Sequence, residues 1–209
     1  MSLGRAVRTR LGRLEVPVSD FYRSRFVNLD SCARLLVSAV EAEMILEIGC
    51  GDGQLAGPLL ARFPGARYAG IDVAPEVGRL FRGDPSRAEF RSVDSRTFLD
   101  EGNGPFDLVV LVDVLHHVPP ELRPGVLEDA HALTAAGGSY AVKDWVRSHG
   151  PWHYAAWASD RFLTGDRVRY FDDGELRELV PSLHPEDRLV LSAYVPPRAN
   201  NRLLVYRRS

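Results

Sequence analysis

The sequence predicts an α/β protein with a doubly wound, mostly parallel sheet of seven strands that ends in an antiparallel hairpin. Two observations lead to this prediction. From residue 44 to about residue 143, short apolar runs alternate with stretches of helical periodicity, as in parallel strands connected by helices. Two later apolar runs, 188–195 and 202–207, are separated only by a short proline-rich turn, and strands joined so tightly pair antiparallel.

The elements are predicted in the following order. Asp30 can cap a helix that runs to about Val40. The first strand, 44–48, ends at a glycine-rich turn, and a helix follows over 55–63, where a Pro-Gly pair closes it. Further strands are predicted at 68–71, 90–93, 106–112 and 139–143, with helical patterns at 75–81, 121–133 and 173–180.

Length and composition indicate one globular domain. The chain has 209 residues, of which 45% are apolar, and this is enough for one sizeable core. Within the single domain, 1–209, we expect a helical N-terminal lid over about 1–40 and an inserted aromatic segment over about 145–187. The formal net charge of -2 gives no general basic field, so no nucleic-acid partner is expected, and the arginines near both ends are interpreted as solvated termini.

The cysteines and the hydropathy pattern indicate a cytoplasmic protein. Cys32 and Cys50 are the only cysteines, and their positions make a structural disulfide improbable. No signal-peptide-like stretch and no run of membrane-spanning length is found, so no membrane association is expected. Lys143 is the only lysine among many arginines, which is typical of a GC-rich bacterial genome.

The turn after the first strand carries the most informative residues. Gly49, Gly51 and Gly53 alternate behind the acidic Glu47 at the point where a strand should become a helix. Glycine has no Cβ, so the backbone there can take positive φ and lets a ligand approach the main chain closely. The turn therefore predicts a site for a nucleotide-like cofactor.

Acidic residues follow the next two strands. Asp72 comes nineteen residues after Gly53, where a carboxylate can accept hydrogen bonds from both ribose hydroxyls of a nucleoside. Asp94 follows the third strand. The dinucleotide fingerprint G-x-G-x-x-G would require a glycine at Gln54, so the turn does not fit a pyrophosphate. The alternative is an ordinary turn, with both aspartates capping helices.

This combination of residues resembles the first motifs of the class I S-adenosylmethionine-dependent methyltransferases, E/D-x-G-x-G-x-G followed by the two acidic positions. The resemblance implies a Rossmann-like fold and S-adenosyl-L-methionine as cofactor, with S-adenosyl-L-homocysteine as product. In that family the acidic residue at Asp94, with the next backbone amide, recognises adenine. The residues implied to bind the cofactor are Glu47, Gly49, Cys50, Gly51, Gly53, Asp72, Val73, Asp94, Ser95, Val112 and Asp113.

The fourth strand and its end resemble small-molecule members of the same family. The segment F-D-L-V…L-H-H-V covers 106–118, and the family's aminoacyl contacts fall on Val112 and Asp113. Base-methylating relatives often carry [D/N]-P-P-[Y/F] here, whereas this chain has Asp113-Val114-Leu115-His116. Methylation of a nucleic-acid base is therefore not expected.

Histidine suits the proton transfer that methylation of a hydroxyl needs. His116 matches the catalytic histidine of many natural-product O-methyltransferases, although His117 and Val118 replace the Asp-Trp of their L-H-D-W segment. The catalytic candidates are His116, His117 and Asp144. The alternative is that the histidines are packed or hydrogen-bonded in the loop and that Asp144 forms a salt bridge at the rim.

No metal site is predicted. Asp113 and Asp144 could imitate two ligands of the metal-dependent catechol-type enzymes, but Trp145 replaces their asparagine.

The segment after Lys143 is predicted to select the substrate, because it is inserted between strands whose ends form the cleft. It contains all three tryptophans, at positions 145, 152 and 157, although an aromatic cluster at helical spacing is also typical of a core. The substrate-binding candidates are Tyr22, Lys143, Trp152, His153 and Trp157.

We therefore expect methyl transfer to a small molecule in a natural-product pathway, with an oxygen of an aromatic or apolar metabolite as acceptor, by a monomer or homodimer. The alternatives are an N- or C-methyltransferase, a non-methylating cyclase or isomerase with the same cofactor, and a binding protein with a degenerate site.

Overall fold

The computed structural model describes residues 28–147, 169–197 and 200–209. Seven strands form one sheet in the order β3-β2-β1-β4-β5-β7-β6, in which β7 pairs antiparallel with both β5 and β6 and the other pairs are parallel. The strands are β1 Met44–Ile48, β2 Arg67–Asp72, β3 Ala88–Ser92, β4 Phe106–Val112, β5 Thr134–Trp145, β6 Arg188–Tyr194 and β7 Asn201–Arg207. The predicted fold class and the C-terminal hairpin are confirmed.

One helix precedes the first strand, and the other helices lie between strands. They are α1 Leu29–Ala39, α2 Ala56–Arg62, α3 Ser95–Asp100, α4 Arg123–Leu133 and α5 Asp173–Leu183, with 3-10 turns at Pro85–Arg87 and Pro120–Leu122. The prediction that Asp30 caps the first helix is wrong. Asn28 is the N-cap, and its side chain accepts from the Ser31 N–H, while Asp30 lies in the first turn. In the first turn, the negative charge of Asp30 interacts favourably with the positive end of the helix dipole.

The helix predicted over 75–81 is not formed. Gly78 has φ +68°, which a right-handed helix does not use. The N–H groups of Gly78 and Leu80 donate to the carbonyls of Gly51 and Asp52, at 2.9 Å each, instead of to carbonyls one turn earlier. The segment therefore folds over the glycine turn because its backbone donors find their acceptors there.

Two apolar cores cover the two faces of the sheet. One is packed by α1 and α2, the other by α4 and α5. Alternation along β5 places Ala141 in the first core and Tyr140 and Val142 in the second, as the two-residue period of a strand requires. Among the described residues, no helix is both long and apolar enough to cross a membrane.

Several predictions concern residues outside the described ranges. Tyr22, Trp152, His153 and Trp157 lie there, as does most of the predicted N-terminal lid. The described part of that lid is α1, whose buried apolar residues belong to the first core.

Candidate active site

The carboxyl ends of β1, β2 and β4 meet at the middle of the sheet. The chain runs outward from β1 through β2 to β3 and then returns to the other side of β1 with β4. Such a reversal leaves a crevice beyond the strand ends, where ligands bind in open α/β sheets. The glycine turn, Asp72 and the β4 end all border this point.

The glycine turn combines tight packing with an open face. Its three alternating glycines, Gly49, Gly51 and Gly53, have φ values of +78°, +50° and +77°. A Cβ on Gly49 would lie 2.4 Å from Cγ2 of Val114, whereas the nearest atom to a Cβ on Gly51 would be an Asp72 oxygen 4.0 Å away. The first glycine is therefore required by packing, and Gly51 leaves room in which a ligand can approach the backbone.

The Asp72 carboxylate is held at this turn. Its Oδ2 accepts from the Gly51 N–H and its Oδ1 accepts from the Ala74 N–H, both at 2.8 Å. Each oxygen keeps a further lone pair for a hydroxyl donor. Val73 follows with 78% of its surface exposed, so an apolar side chain lies open beside the carboxylate. The geometry fits a nucleoside.

Glu47 lies beneath the turn and is buried. The Tyr68 hydroxyl donates to its Oε2. Burial and the neighbouring Glu47 charge raise the pKa of Tyr68 well above its ordinary value, so the phenol remains a donor. Tyr68 was not among the sequence candidates; its signal is its place on β2, paired with Ile45 of β1 two residues before Glu47.

Asp94 caps α3. Its oxygens accept from the Thr97 N–H at 2.9 Å and from the Thr97 hydroxyl at 2.8 Å, and the backbone hydrogen bond holds the pKa of the carboxyl below its ordinary value. The neighbouring Ser95 hydroxyl donates to Asp129. The capping interpretation thus describes Asp94 as it stands, and its contact with adenine stays a prediction.

The Asp113–Lys143 pair closes the end of β4. Asp113 has φ +59°, its N–H donates to the Lys143 carbonyl at 2.9 Å, and its Oδ1 lies 2.6 Å from Nζ of Lys143. The Lys143 side chain is fully buried, so its charge is balanced by this contact. A role for Lys143 in binding substrate would require Asp113 to exchange partners.

His116 and Asp144 form a buried dyad. His116 Nδ1 lies 2.6 Å from Asp144 Oδ1, and the carboxylate also accepts from the backbone N–H groups of His116 and Trp145, at 3.1 and 2.7 Å. Burial alone would raise the pKa of Asp144, but the charge and hydrogen bonds of these partners hold it below its ordinary value. In the neutral ring the proton then sits on Nδ1, and Nε2 is the basic nitrogen.

The loop that carries His116 is fixed from several sides. The Tyr170 ring stacks on the imidazole at 5.5 Å between centroids, and the Arg169 N–H donates to the His116 carbonyl at 3.1 Å. Arg123, which the sequence did not single out, donates to the carbonyls of Val118 and Arg169 and so ties the two loops together. His117, whose ring lies 4.0 Å from that of His116, is exposed.

Asp113, His116 and Asp144 also offer ligand atoms within 4.8 Å of one another. Asp113 Oδ1 is paired with Lys143, and His116 Nδ1 is paired with Asp144 Oδ1. These contacts compete with a metal for the same residues.

Comparison with known proteins agrees with this geometry. The family model of the methyltransferase domain matches residues 46–140. An uncharacterised methyltransferase of Mycobacterium tuberculosis is 29% identical over 168 residues, which are 78% of this chain and 82% of that protein. The ubiquinone biosynthesis O-methyltransferase of Pseudomonas aeruginosa is 32% identical over 105 residues, and the match covers less than half of each protein, 48% of this chain and 44% of the relative.

Solved structures share the fold. The 1,6-didemethyltoxoflavin-N1-methyltransferase of Burkholderia thailandensis, with bound 1,6-didemethyltoxoflavin and S-adenosylhomocysteine, has a TM-score of 0.66 at 19% identity, over 100% of this chain and 92% of that chain. The mitomycin 7-O-methyltransferase MmcR has a TM-score of 0.67 at 21% identity, over 87% and 54%.

The cofactor class follows from the two kinds of observation together. Neighbouring structures contain S-adenosylmethionine or its product, and the open glycine turn beside Asp72 fits the same group here. Together with the matching domain model and the curated relatives, these observations support a class I S-adenosylmethionine-dependent methyltransferase.

Proposed function

We propose that the protein methylates an oxygen of a small aromatic or apolar metabolite, with His116 as the general base. The observation that carries this proposal is the His116–Asp144 dyad, with 2.6 Å between Nδ1 and Oδ1, in the loop that follows β4. A hydroxyl acceptor must lose a proton as it is methylated, and an imidazole oriented by a carboxylate is suited to take that proton.

The residues around the central crevice are proposed to bind the cofactor. Asp72 would accept from the ribose hydroxyls, Val73 and the Asp94–Ser95 backbone would contact adenine, and Gly51 would allow close approach of the main chain. The cofactor supplies a methyl group on a positively charged sulfonium. The buried Glu47 carboxylate lies beneath the glycine turn, where it would stabilise a cationic group, whereas the charge of Asp113 is balanced by Lys143.

The chemistry of this chain's residues then follows. His116 Nε2 would take the acceptor proton while Asp144 stabilises the resulting imidazolium and keeps the ring oriented. His117 is exposed, and the imidazole that is hydrogen-bonded to Asp144 is that of His116, so we assign the proton transfer to His116. The stacked Tyr170 and the buried Trp145 form an apolar wall beside the dyad, which favours an aromatic or apolar acceptor.

The relatives support a small-molecule acceptor. Two similar proteins, a ubiquinone biosynthesis O-methyltransferase and a mitomycin 7-O-methyltransferase, are named as O-methyltransferases. Nitrogen is the second candidate acceptor, favoured by the N1-methyltransferase whose chain this fold covers over 92%. We place the acceptor in a natural-product type of metabolism on the same grounds.

The test is a panel of phenolic, quinone-precursor and heteroaromatic amine metabolites, incubated with the purified enzyme and S-adenosylmethionine. We expect a gain of one methyl group on a hydroxyl, identified by mass spectrometry and by the chemical shift of the new methyl. His116→Ala should lower kcat by about 10²- to 10⁴-fold, the usual range for a general base, while cofactor affinity stays unchanged.

Asp72→Ala serves as the matched variant, since it should weaken S-adenosylmethionine binding in calorimetry. Full turnover by His116→Ala would remove the base from the proposal. Exclusive methylation of amines would favour the nitrogen alternative.

A further inference from the structure

A second group of titratable side chains lies away from the active site, near the start of β5 rather than its end. His131 is in the last turn of α4, His184 follows the last residue of α5, and Glu186 lies in the turn before β6. The two imidazole rings stack with 3.7 Å between centroids and 5° between planes. One nitrogen of each ring and a carboxylate oxygen of Glu186 lie within 4.8 Å of one another.

The histidines in this cluster have unmet hydrogen-bonding capacity. The Nε2 atoms of His131 and His184 are both buried and make no hydrogen bond in the described part of the chain. His184 keeps only 8% of its surface exposed. Buried polar atoms in proteins are nearly always paired, so each of these Nε2 atoms needs a partner close by.

A carboxylate lies close to the Nε2 atom of each ring. His131 Nε2 lies 3.2 Å from Asp187 Oδ2, and His184 Nε2 lies 3.5 Å from Glu128 Oε2. The Asp187 oxygen is itself fixed by the Tyr140 hydroxyl, which donates to it at 2.7 Å. Histidines that ligate a metal commonly direct their other ring N–H to a carboxylate in this way. The opposite nitrogen of His184, Nδ1, faces Glu186 Oε1 at 3.7 Å.

We propose that His131, His184 and Glu186 bind a divalent transition-metal ion, with Asp187 and Glu128 orienting the two imidazoles. Two imidazole nitrogens and one carboxylate oxygen suit Zn²⁺, Ni²⁺ or Cu²⁺, whereas Mg²⁺ and Ca²⁺ prefer oxygen ligands alone.

Binding involves a defined local rearrangement. Ligands about 2.0–2.1 Å from a tetrahedral ion lie about 3.3 Å apart, so the three ligand atoms must move closer together. Each imidazole can rotate about its Cβ–Cγ bond to bring its ligand nitrogen toward the ion. The exposed Glu186 side chain can move freely to complete the site. The ion would join α4, α5 and the turn before β6. This binding site is independent of the proposed methyl transfer.

The experiment is calorimetric titration of the EDTA-treated, full-length chain with Zn²⁺, together with Cu²⁺ electron paramagnetic resonance. We expect one ion to bind through this cluster, a rise in Tm with Zn²⁺, and nitrogen hyperfine splitting from two imidazoles. His184→Gln and Glu186→Gln should each lower the affinity for Zn²⁺ by at least about tenfold. Glu186 is exposed and its side chain makes no hydrogen bond among the described residues, so Glu186→Gln should fold normally.

Asp113→Asn is the matched control, because Asp113 belongs to the other group of possible ligands. It should bind Zn²⁺ as the wild type does. The proposal is overturned if the wild type binds no ion, if His184→Gln and Glu186→Gln keep wild-type affinity, or if Asp113→Asn alone loses binding.

Discussion

At the scale of single residues, the environment of Asp144 decides what His116 can do. Asp144 is buried and accepts three hydrogen bonds, two of them from backbone N–H groups that cannot rotate away. A buried carboxylate without such partners would take up a proton. Its partners keep it charged, and its charge in turn selects the imidazole tautomer with the basic nitrogen at Nε2. The two residues therefore function as a unit.

Asp144→Asn tests this unit. The amide has one acceptor oxygen instead of two and no charge, so it can neither satisfy all three donors nor stabilise an imidazolium. We expect kcat to fall by about 10²-fold or more, with little change in KM for S-adenosylmethionine. Steady-state kinetics measures both values, and a denaturant titration checks folding. An unchanged kcat in a folded variant would contradict an orienting role for Asp144.

At the scale of elements, the glycine turn is held by its neighbours as much as by its own sequence. The N–H groups of Gly49 and Cys50 donate to the Ile71 carbonyl, at 2.7 and 3.0 Å, which joins the turn to the end of β2. From the other side, the segment around Gly78 packs closely, with its Cα only 2.8 Å from a Cβ placed on Gly53. The turn is therefore preformed for a ligand.

Gly49→Ala should destabilise the fold. The new Cβ would lie 2.4 Å from Val114 Cγ2 at a φ of +78°, so both overpacking and backbone strain contribute. We expect the free energy of unfolding to fall by about 2–4 kcal/mol, measured in urea. The control is Gly57→Ala, a helical position with open space around it, which should raise stability by up to about 1 kcal/mol. Equal stability of both variants would refute the packing argument.

At the scale of the whole molecule, sheet order separates the central crevice from the His131–His184 stack. The reversal of strand order beside β1 places the crevice at the carboxyl ends of the central strands. The His131–His184 stack lies near the other end of β5, where α4, α5 and the C-terminal residues meet: Arg208 donates to the His131 carbonyl and the Ser209 N–H donates to Asp187. That cluster can act on stability without touching the crevice.

Global stability should therefore depend on pH through His131. Folding lowers the pKa of this histidine, chiefly by burial, so the unfolded chain takes up the proton first as the pH falls. Stability is lost as the pH decreases below about 6.5, the ordinary histidine value, toward the folded-state pKa. His131→Gln lacks this linkage. Urea unfolding in EDTA should show the wild type losing more stability than the variant between pH 7.5 and 5.5; parallel curves would argue against it.

Local signals in the sequence determined the architecture and the cofactor class. Alternating strand and helix periods, the glycines behind Glu47 and an aspartate after each of the next two strands are properties of short segments, set by backbone sterics and side-chain burial. The same steric rules operate in the folded chain, so these predictions could be made before any contact was known.

Only the tertiary structure determined which residues pair with each other. Asp144 is hydrogen-bonded to His116, which is 28 positions away in the sequence, and the buried Lys143 is paired with Asp113. The segment around Gly78 is not helical because its N–H groups donate to the glycine turn. The His131–His184 stack likewise joins two helices that the sequence shows only as separate elements. Such contacts depend on how strands are ordered and packed, and that order comes from the summed burial of both sheet faces rather than from any local pattern.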